Sequence, residues 1–151
     1  MEAKEIIKDI QVVEETATFE EALTAMIKSQ TNTLLVVDED GCLSGEVSVS
    51  DLLDAIVPWD LDGDKITESF SSEEAFAKAI QNAKDKPVFD FMSVDFDTVK
   101  PDDGLINIAA TAIAYQRARI PVVDHENRPI GIISRRGLKH ILGNFLNIKD
   151  Q

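Results

Sequence analysis

The run Arg119-Ile120-Pro121-Val122-Val123-Asp124, continued by Gly131-Ile132-Ile133-Ser134 and Leu138, has a counterpart earlier in this chain. Eighty-six positions earlier stand Thr33-Leu34-Leu35-Val36-Val37-Asp38, then Gly45-Glu46-Val47-Ser48 and Leu52. At that offset residues 10–56 fall on residues 96–142 without a gap and share nine identities, among them Val13 with Val99, Ile27 with Ile113 and Gln30 with Gln116. The apolar pattern agrees elsewhere: Phe19 with Leu105, Val47 with Ile133, Ile56 with Leu142. A repeat of this length is one supersecondary unit that needs a neighbour to bury its apolar face.

Each copy reads as β-α-β-β-α. A short extended piece, Gln11-Val12-Val13 or Asp97-Thr98-Val99, comes first. In the first copy Thr18 with Glu21 forms a capping box, and Phe19, Ala22, Leu23, Met26 and Ile27 make a helical apolar stripe. In the second copy Asp102 or Asp103 is the expected cap, before Leu105, Ile108, Ala109, Ala112 and Ile113. The β-branched runs 33–37 and 119–123 read as buried strands, with Pro121 near a strand start where it is tolerated. Asp38-Glu39-Asp40-Gly41 and Asp124-His125-Glu126-Asn127 are turns. A second strand and a final helix, from near Asp51 or Gly137, close each copy. The expected fold class is α+β, with two such units packed face to face as a pseudo-two-fold pair.

The sequence divides into a first repeat at 1–57, an insert at 58–89 and a second repeat at 90–151. Within the insert, Ser71-Ser72-Glu73-Glu74 starts a short amphipathic helix carrying Ala75, Phe76, Ala79, Ile80 and Ala83, and Pro87 stops it. The insert exceeds the usual connector of about 4–6 residues, so an edge cover or a dimer contact is expected of it.

The net charge of −13 and pI near 4.4 exclude general binding to nucleic acid or anionic membrane. One cysteine, Cys42, permits neither an internal disulfide nor a multi-cysteine zinc site. No apolar run nears the roughly 20 residues of a transmembrane helix, and Met1-Glu2-Ala3-Lys4-Glu5 does not read as a signal peptide. A cytoplasmic protein is expected. The charge is uneven: residues 1–75 hold 4 Lys against 19 Asp and Glu, whereas residues 76–151 hold 11 Lys and Arg against 9 Asp and Glu. All five arginines, Arg117, Arg119, Arg128, Arg135 and Arg136, lie in that second part. Arginine suits bidentate contact with phosphate, and equally surface ion pairing with nearby carboxylates.

These segments resemble the cystathionine-β-synthase (CBS) domain, which occurs in tandem pairs. The carriers are Asp90-Phe91-Met92-Ser93 with Val99 and Pro101, Ile120 to Asp124, and Gly131 to Leu138. In the first copy they are Leu35 to Gly41 and Gly45 to Leu52. The resemblance implies a regulatory, non-catalytic pair with two clefts that binds an adenosine-containing ligand (AMP, ADP or ATP) without a further cofactor. It also implies a homodimer, and signalling to a protein partner that the sequence does not name. A ligand-free interaction scaffold and S-adenosylmethionine binding are the alternatives.

The family's ligand motif is Gly-apolar-x-Ser/Thr-x-x-Asp. The first copy has it complete in Gly45, Ser48 and Asp51. A carboxylate can accept from two vicinal ribose hydroxyls, and the serine adds a donor. Serine followed by aspartate at a helix start is equally an ordinary cap. The second copy has Gly137 where the acid belongs, leaving Ser134, Arg135 and Arg136 before a helix start, with Arg119 nearby, as candidate phosphate ligands. Val13, Leu34 and Leu35, and Val99, Ile120 and Pro121, are candidate walls for an adenine or plain core residues. Asp60-x-Asp62-Gly63-Asp64 lacks the glycine and glutamate of a calcium loop, and no metal site is expected. No phosphate-binding loop or nucleophile elbow occurs, and Cys42 has no evident base, so an enzyme is not expected.

Overall fold

The computed structural model describes residues 3–57, 70, 72–117 and 119–149. Its elements are β1 (Ile7–Lys8), β2 (Val12–Glu14), α1 (Phe19–Ser29), β3 (Thr33–Val37), β4 (Leu43–Ser48), α2 (Val49–Ala55), α3 (Glu73–Ala83), α4 (Leu105–Tyr115), β5 (Ile120–Val123), β6 (Pro129–Ile133) and α5 (Arg135–Phe145). Short 3-10 turns at Ala3–Glu5 and Val88–Asp90 precede the two repeats. The fold is mixed α+β with two three-stranded sheets, ordered β1-β6-β5 and β2-β3-β4. Pro58, Trp59 and the Asp60–Asp64 turn lie outside the described residues.

The chain forms two compact bodies, and they interleave in sequence. One holds residues 1–10, 37–44 and 95–151; the other holds 11–36 and 45–94. The cause is visible in the strand pairing. The lead-in to the first repeat, β1, pairs antiparallel with β6 of the second, Ile7 opposite Ile133 and Lys8 opposite Ile132. The lead-in to the second repeat places Ser93 opposite Glu46 of β4, joined by two backbone hydrogen bonds of 2.8 and 2.9 Å. Both exchanges need a glycine. A Cβ on Gly45 would stand 2.7 Å from Met92 Sδ and 2.9 Å from the Ser93 carbonyl, and one on Gly131 would overlap Ile7 Cγ2 and stand 2.9 Å from the Lys8 carbonyl.

Each body has its own apolar core. In the second body Phe19, Ala22 and Met26 of α1 pack with Leu34, Val36, Val47, Leu52 and Val88. In the first body Ile108 of α4 and Ile141 of α5 pack with Ala3, Ile6, Val99, Ile120, Val122 and Ile133. The period-2 alternation of β4, with Leu43, Gly45 and Val47 buried, matches a strand with one face on the core.

The repeat is legible in local detail. Gln30 and Gln116, identical in sequence, both end their helices in the left-handed conformation, with φ of 56° and 53°. Asp38 Oδ1 accepts from the amides of Asp40 and Cys42, and Asp124 Oδ1 accepts from those of Glu126 and Arg128, so both turns close in the same way.

Three expectations need correction. Thr18 caps α1 by accepting from the Glu21 amide at 3.1 Å, but Glu21 Oε1 accepts from the Thr18 hydroxyl, so the box is not completed through the backbone. Neither Asp102 nor Asp103 caps α4; Gly104 does, without a side-chain bond, because Asp103 Oδ2 is used to accept from the Lys100 amide at 2.8 Å. The closing helices begin at Val49 and Arg135, two residues before the expected starts, because Ser48 and Ser134 are the caps.

Candidate ligand-binding site

The complete motif lies where β4 runs into α2. Ser48 ends the strand with φ −110° and ψ 171° and caps the helix. Its hydroxyl accepts from the Asp51 amide at 3.3 Å and donates to Asp51 Oδ2 at 3.1 Å; the Ser48 amide donates to the same oxygen at 2.8 Å. Serine and aspartate therefore form a full capping box. A further residue, which the sequence reading did not count in the site, joins them. The Ser93 hydroxyl donates to Asp51 Oδ1 at 3.1 Å. The signal for Ser93 was present in the lead-in Phe91-Met92-Ser93, but its contact depends on the strand exchange.

The chemical result is a half-buried carboxylate fixed on both oxygens. An ionised carboxylate offers about four acceptor sites, and three are used here. The remaining capacity, beside two serine hydroxyls, suits a hydroxylated ligand. The capping function and a ligand function are thus carried by the same atoms.

The equivalent place in the other body keeps the serine and differs at the other two positions. Ser134 again caps its helix by backbone, with φ −96° and ψ 176°, but makes no side-chain cap bond. Its buried hydroxyl has no hydrogen-bond partner, which no other buried side-chain polar atom among the described residues shares. Gly137 replaces Asp51, and the packing explains why. A Cβ there would stand 3.1 Å from the Ile6 carbonyl, 3.2 Å from Ile6 Cβ and 3.3 Å from Ile133 Cγ2, so a larger residue needs Ile6 and Ile133 to give by a few tenths of an ångström. Lys8 lies opposite Ile132 in the way Ser93 lies opposite Glu46. A cavity of about 320 Å³ beside this point is lined by Glu5, Ile6, Ile7, Lys8, Arg136, Gly137 and His140.

Of the arginines, Arg136 borders that cavity, and Arg119 and Arg135 are exposed. Arg117 and Arg128 form ion pairs. Arg117 bonds Asp97 at 2.8 Å and Asp95 at 2.9 Å, and these bonds, Asp97 foremost, raise its pKa further above the usual range. Arg128 pairs with Glu126 at 3.1 Å.

The candidate adenine walls split between strand faces. Leu34 lies in one core, and Val99 and Ile120 lie in the other. Half-buried Val13 packs against the first of these. Leu35 and Pro121, next to Leu34 and Ile120 on their strands, are buried on the opposite strand faces. Among the described residues no helix is long and apolar enough to cross a membrane, and no group of three or more His, Cys, Asp or Glu is placed to hold a metal.

Comparison with known proteins follows the same lines. The model of the CBS domain family matches residues 3–58 and 88–144. The chain is 29% identical over 140 residues to the chloroplastic CBS domain-containing protein CBSX1 of Arabidopsis thaliana, covering 85% of this chain and 57% of that one. The chain thus spans just over half the length of that relative. It is 29% identical over 147 residues to an uncharacterised protein of Methanocaldococcus jannaschii, covering 89% and 87%. Among solved structures, CBSX2 in complex with AMP matches with a TM-score of 0.67 at 22% identity, covering 96% of this chain and 98% of that one. A CBS domain-containing protein of Bacillus anthracis matches with a TM-score of 0.74 at 20% identity, covering 95% and 94%. A CBS domain pair/ACT domain protein of Thermotoga maritima is 30% identical with a TM-score of 0.65, covering 97% and 99%. With two matched segments that coincide with its internal repeat, this chain belongs to the CBS domain family.

Proposed function

We propose that this protein is a non-catalytic regulatory module that binds an adenosine-containing ligand (AMP, ADP or ATP) through the Asp51 site and passes the binding event to a partner protein. The observation that carries the reading is the Asp51 carboxylate, held on both oxygens by Ser48 and Ser93 yet half-exposed. Such a group is set before the ligand arrives, so little ordering cost remains for ribose binding. The neighbour that binds AMP supports the ligand class. In this reading Ser48 and Asp51 are the ribose ligands with Leu35 as an adenine contact, Ser134, Arg119, Arg135 and Arg136 are phosphate ligands of the equivalent place in the other body with Pro121 as its adenine contact, and the module is a cytoplasmic homodimer. Regulation requires the ligand to favour one of two arrangements, because equal affinity for both shifts nothing.

Titration calorimetry with AMP, ADP, ATP and S-adenosylmethionine tests this, alongside thermal unfolding. Ligand at 100 times its dissociation constant adds about 2.7 kcal/mol of stability. Absence of both heat and melting shift for all four rejects the reading.

A second reading, a scaffold without a small ligand, is favoured by one observation. Three of the Asp51 acceptor sites are already filled from within the chain, as a purely structural cap requires.

A further inference from the structure

The two lead-in segments match position by position. Ala3–Glu5 and Val88–Asp90 are both 3-10 turns, and Ala3 and Val88 are each buried in a core. Lys8 lies opposite Ile132 and Ser93 opposite Glu46, and Glu46 and Ile132 are themselves repeat equivalents. Lys8 therefore stands where the other body has Ser93, and Glu5 where it has Asp90. On the closing helices the repeat offset puts Arg136 at the place of Ser50, Gly137 at that of Asp51 and His140 at that of Asp54.

The body around Asp51 thus has Asp90, Ser93, Ser50, Asp51 and Asp54 at these positions, with three carboxylates and no cation. The other body has Glu5, Lys8, Arg136, Gly137 and His140, with one carboxylate, two permanent cations and an imidazole. The acid is kept at one position, and the other four all shift toward positive charge. These five residues, with Ile6 and Ile7, line the cavity of about 320 Å³. That volume falls within the range of small-ligand pockets, about 300–1,000 Å³.

We propose that this cavity is a second ligand site that reads a di- or triphosphate group and does not read a sugar. It deepens the phosphate assignment made above, from which it takes Arg136, and it adds Lys8 and His140. Lys8 comes from β1, and Arg136 and His140 from α5, so donors of two separate elements border one space. The guanidinium matches two phosphate oxygens at once, and the ammonium acts as a point charge. No residue of α5 is acidic, so this helix offers no carboxylate to accept from ribose hydroxyls. Glu5 lines the same cavity and weakens the binding of a bare anion. The net charge of −13 does not forbid the site, because charges beyond about 8 Å are largely screened at physiological salt.

Titration calorimetry of the full chain with sodium diphosphate, ADP and adenosine, free of divalent cations, tests this. Diphosphate is expected to bind the wild type. Lys8→Gln and Arg136→Gln are each expected to weaken it about tenfold or more, the worth of one charge-assisted hydrogen bond. Lys139→Gln, on the same helix but outside the cavity lining, is expected to leave binding unchanged. Lys8 and Arg136 are exposed, so circular dichroism should show every variant folded. Equal weakening by Lys139→Gln means diffuse attraction and overturns the site, as does unchanged binding in both Lys8→Gln and Arg136→Gln. ADP binding that Lys8→Gln weakens, with no binding of diphosphate, keeps the site and names a nucleotide as the carrier of the phosphates. Glu5→Gln is expected to tighten diphosphate binding; if it weakens ADP binding instead, Glu5 replaces the missing acid and the sugar-free assignment fails. Adenosine reports on the Asp51 site alone, so silence with adenosine beside bound diphosphate rejects the ribose reading and leaves this one standing. No binding of either diphosphate or ADP overturns this one, whatever adenosine does.

Discussion

Ser93 Oγ stands 3.1 Å from Asp51 Oδ1, a bond between residues 42 positions apart that fixes a helix-capping carboxylate from outside its own helix. The local cap and the distant lead-in are therefore separable by mutation. Asp51→Ala should cost about 1 kcal/mol in urea unfolding, the usual price of a lost cap, and abolish nucleotide binding. Ser93→Ala leaves the capping box intact; it should cost under about 1 kcal/mol yet weaken binding measurably by calorimetry. Binding unchanged in Ser93→Ala would show that the serine does not position the carboxylate for a ligand.

The two equivalent serines should respond in opposite ways. Ser48→Ala removes a working cap and should destabilise by about 1 kcal/mol. Ser134→Ala removes a buried hydroxyl that has no partner, so stability should be unchanged or higher by up to about 1 kcal/mol. Equal losses in chemical denaturation would contradict the asymmetry.

Gly45→Ala places a methyl 2.9 Å from the Ser93 carbonyl, closer than atoms pack. The lead-in must move, with a cost of about 1–3 kcal/mol and weaker nucleotide affinity, because Ser93 moves with it. Melting and titration of this one variant check both.

Asp124 supplies a pH signature. The amide of Arg128, then that of Glu126, hydrogen-bonds its carboxylate and holds its pKa below 3.8. The folded value is depressed, so the contribution to stability is present above the unfolded pKa and is lost as pH falls through the folded one. Asp124→Asn should flatten the acid limb of a stability–pH curve, and carbon-detected NMR titration should place the Asp124 midpoint below the ordinary value.

Much of this was legible in the sequence because the repeat reports each element twice. The buried strand runs and the turns that follow them at Asp38 and Asp124 read correctly, since each depends on neighbours within a few residues. The cap of α4 did not, because Asp103 had two uses and the turn at Lys100 took it. Ser93 was missed for a different reason. Its role follows from strand pairing across the repeat boundary, and no local pattern marks which sheet a lead-in will join. Gly137 was read as a lost acid; the structure adds that Ile6 occupies the space beside it.

The exchange of lead-in strands also constrains how the chain reaches its native state. Ile7 waits for Ile133, so synthesis must pass residue 133 before the β1-β6-β5 sheet can close. Contacts this distant in sequence slow folding and leave Ile6 and Ile7 exposed on the nascent chain. The same arrangement makes each half dependent on the other: a fragment ending within the insert lacks the strand that Glu46 pairs with, and a fragment starting there lacks the one that Ile132 pairs with. Gene fragments cut at the repeat boundary should therefore be poor folders alone and should recover structure when expressed together.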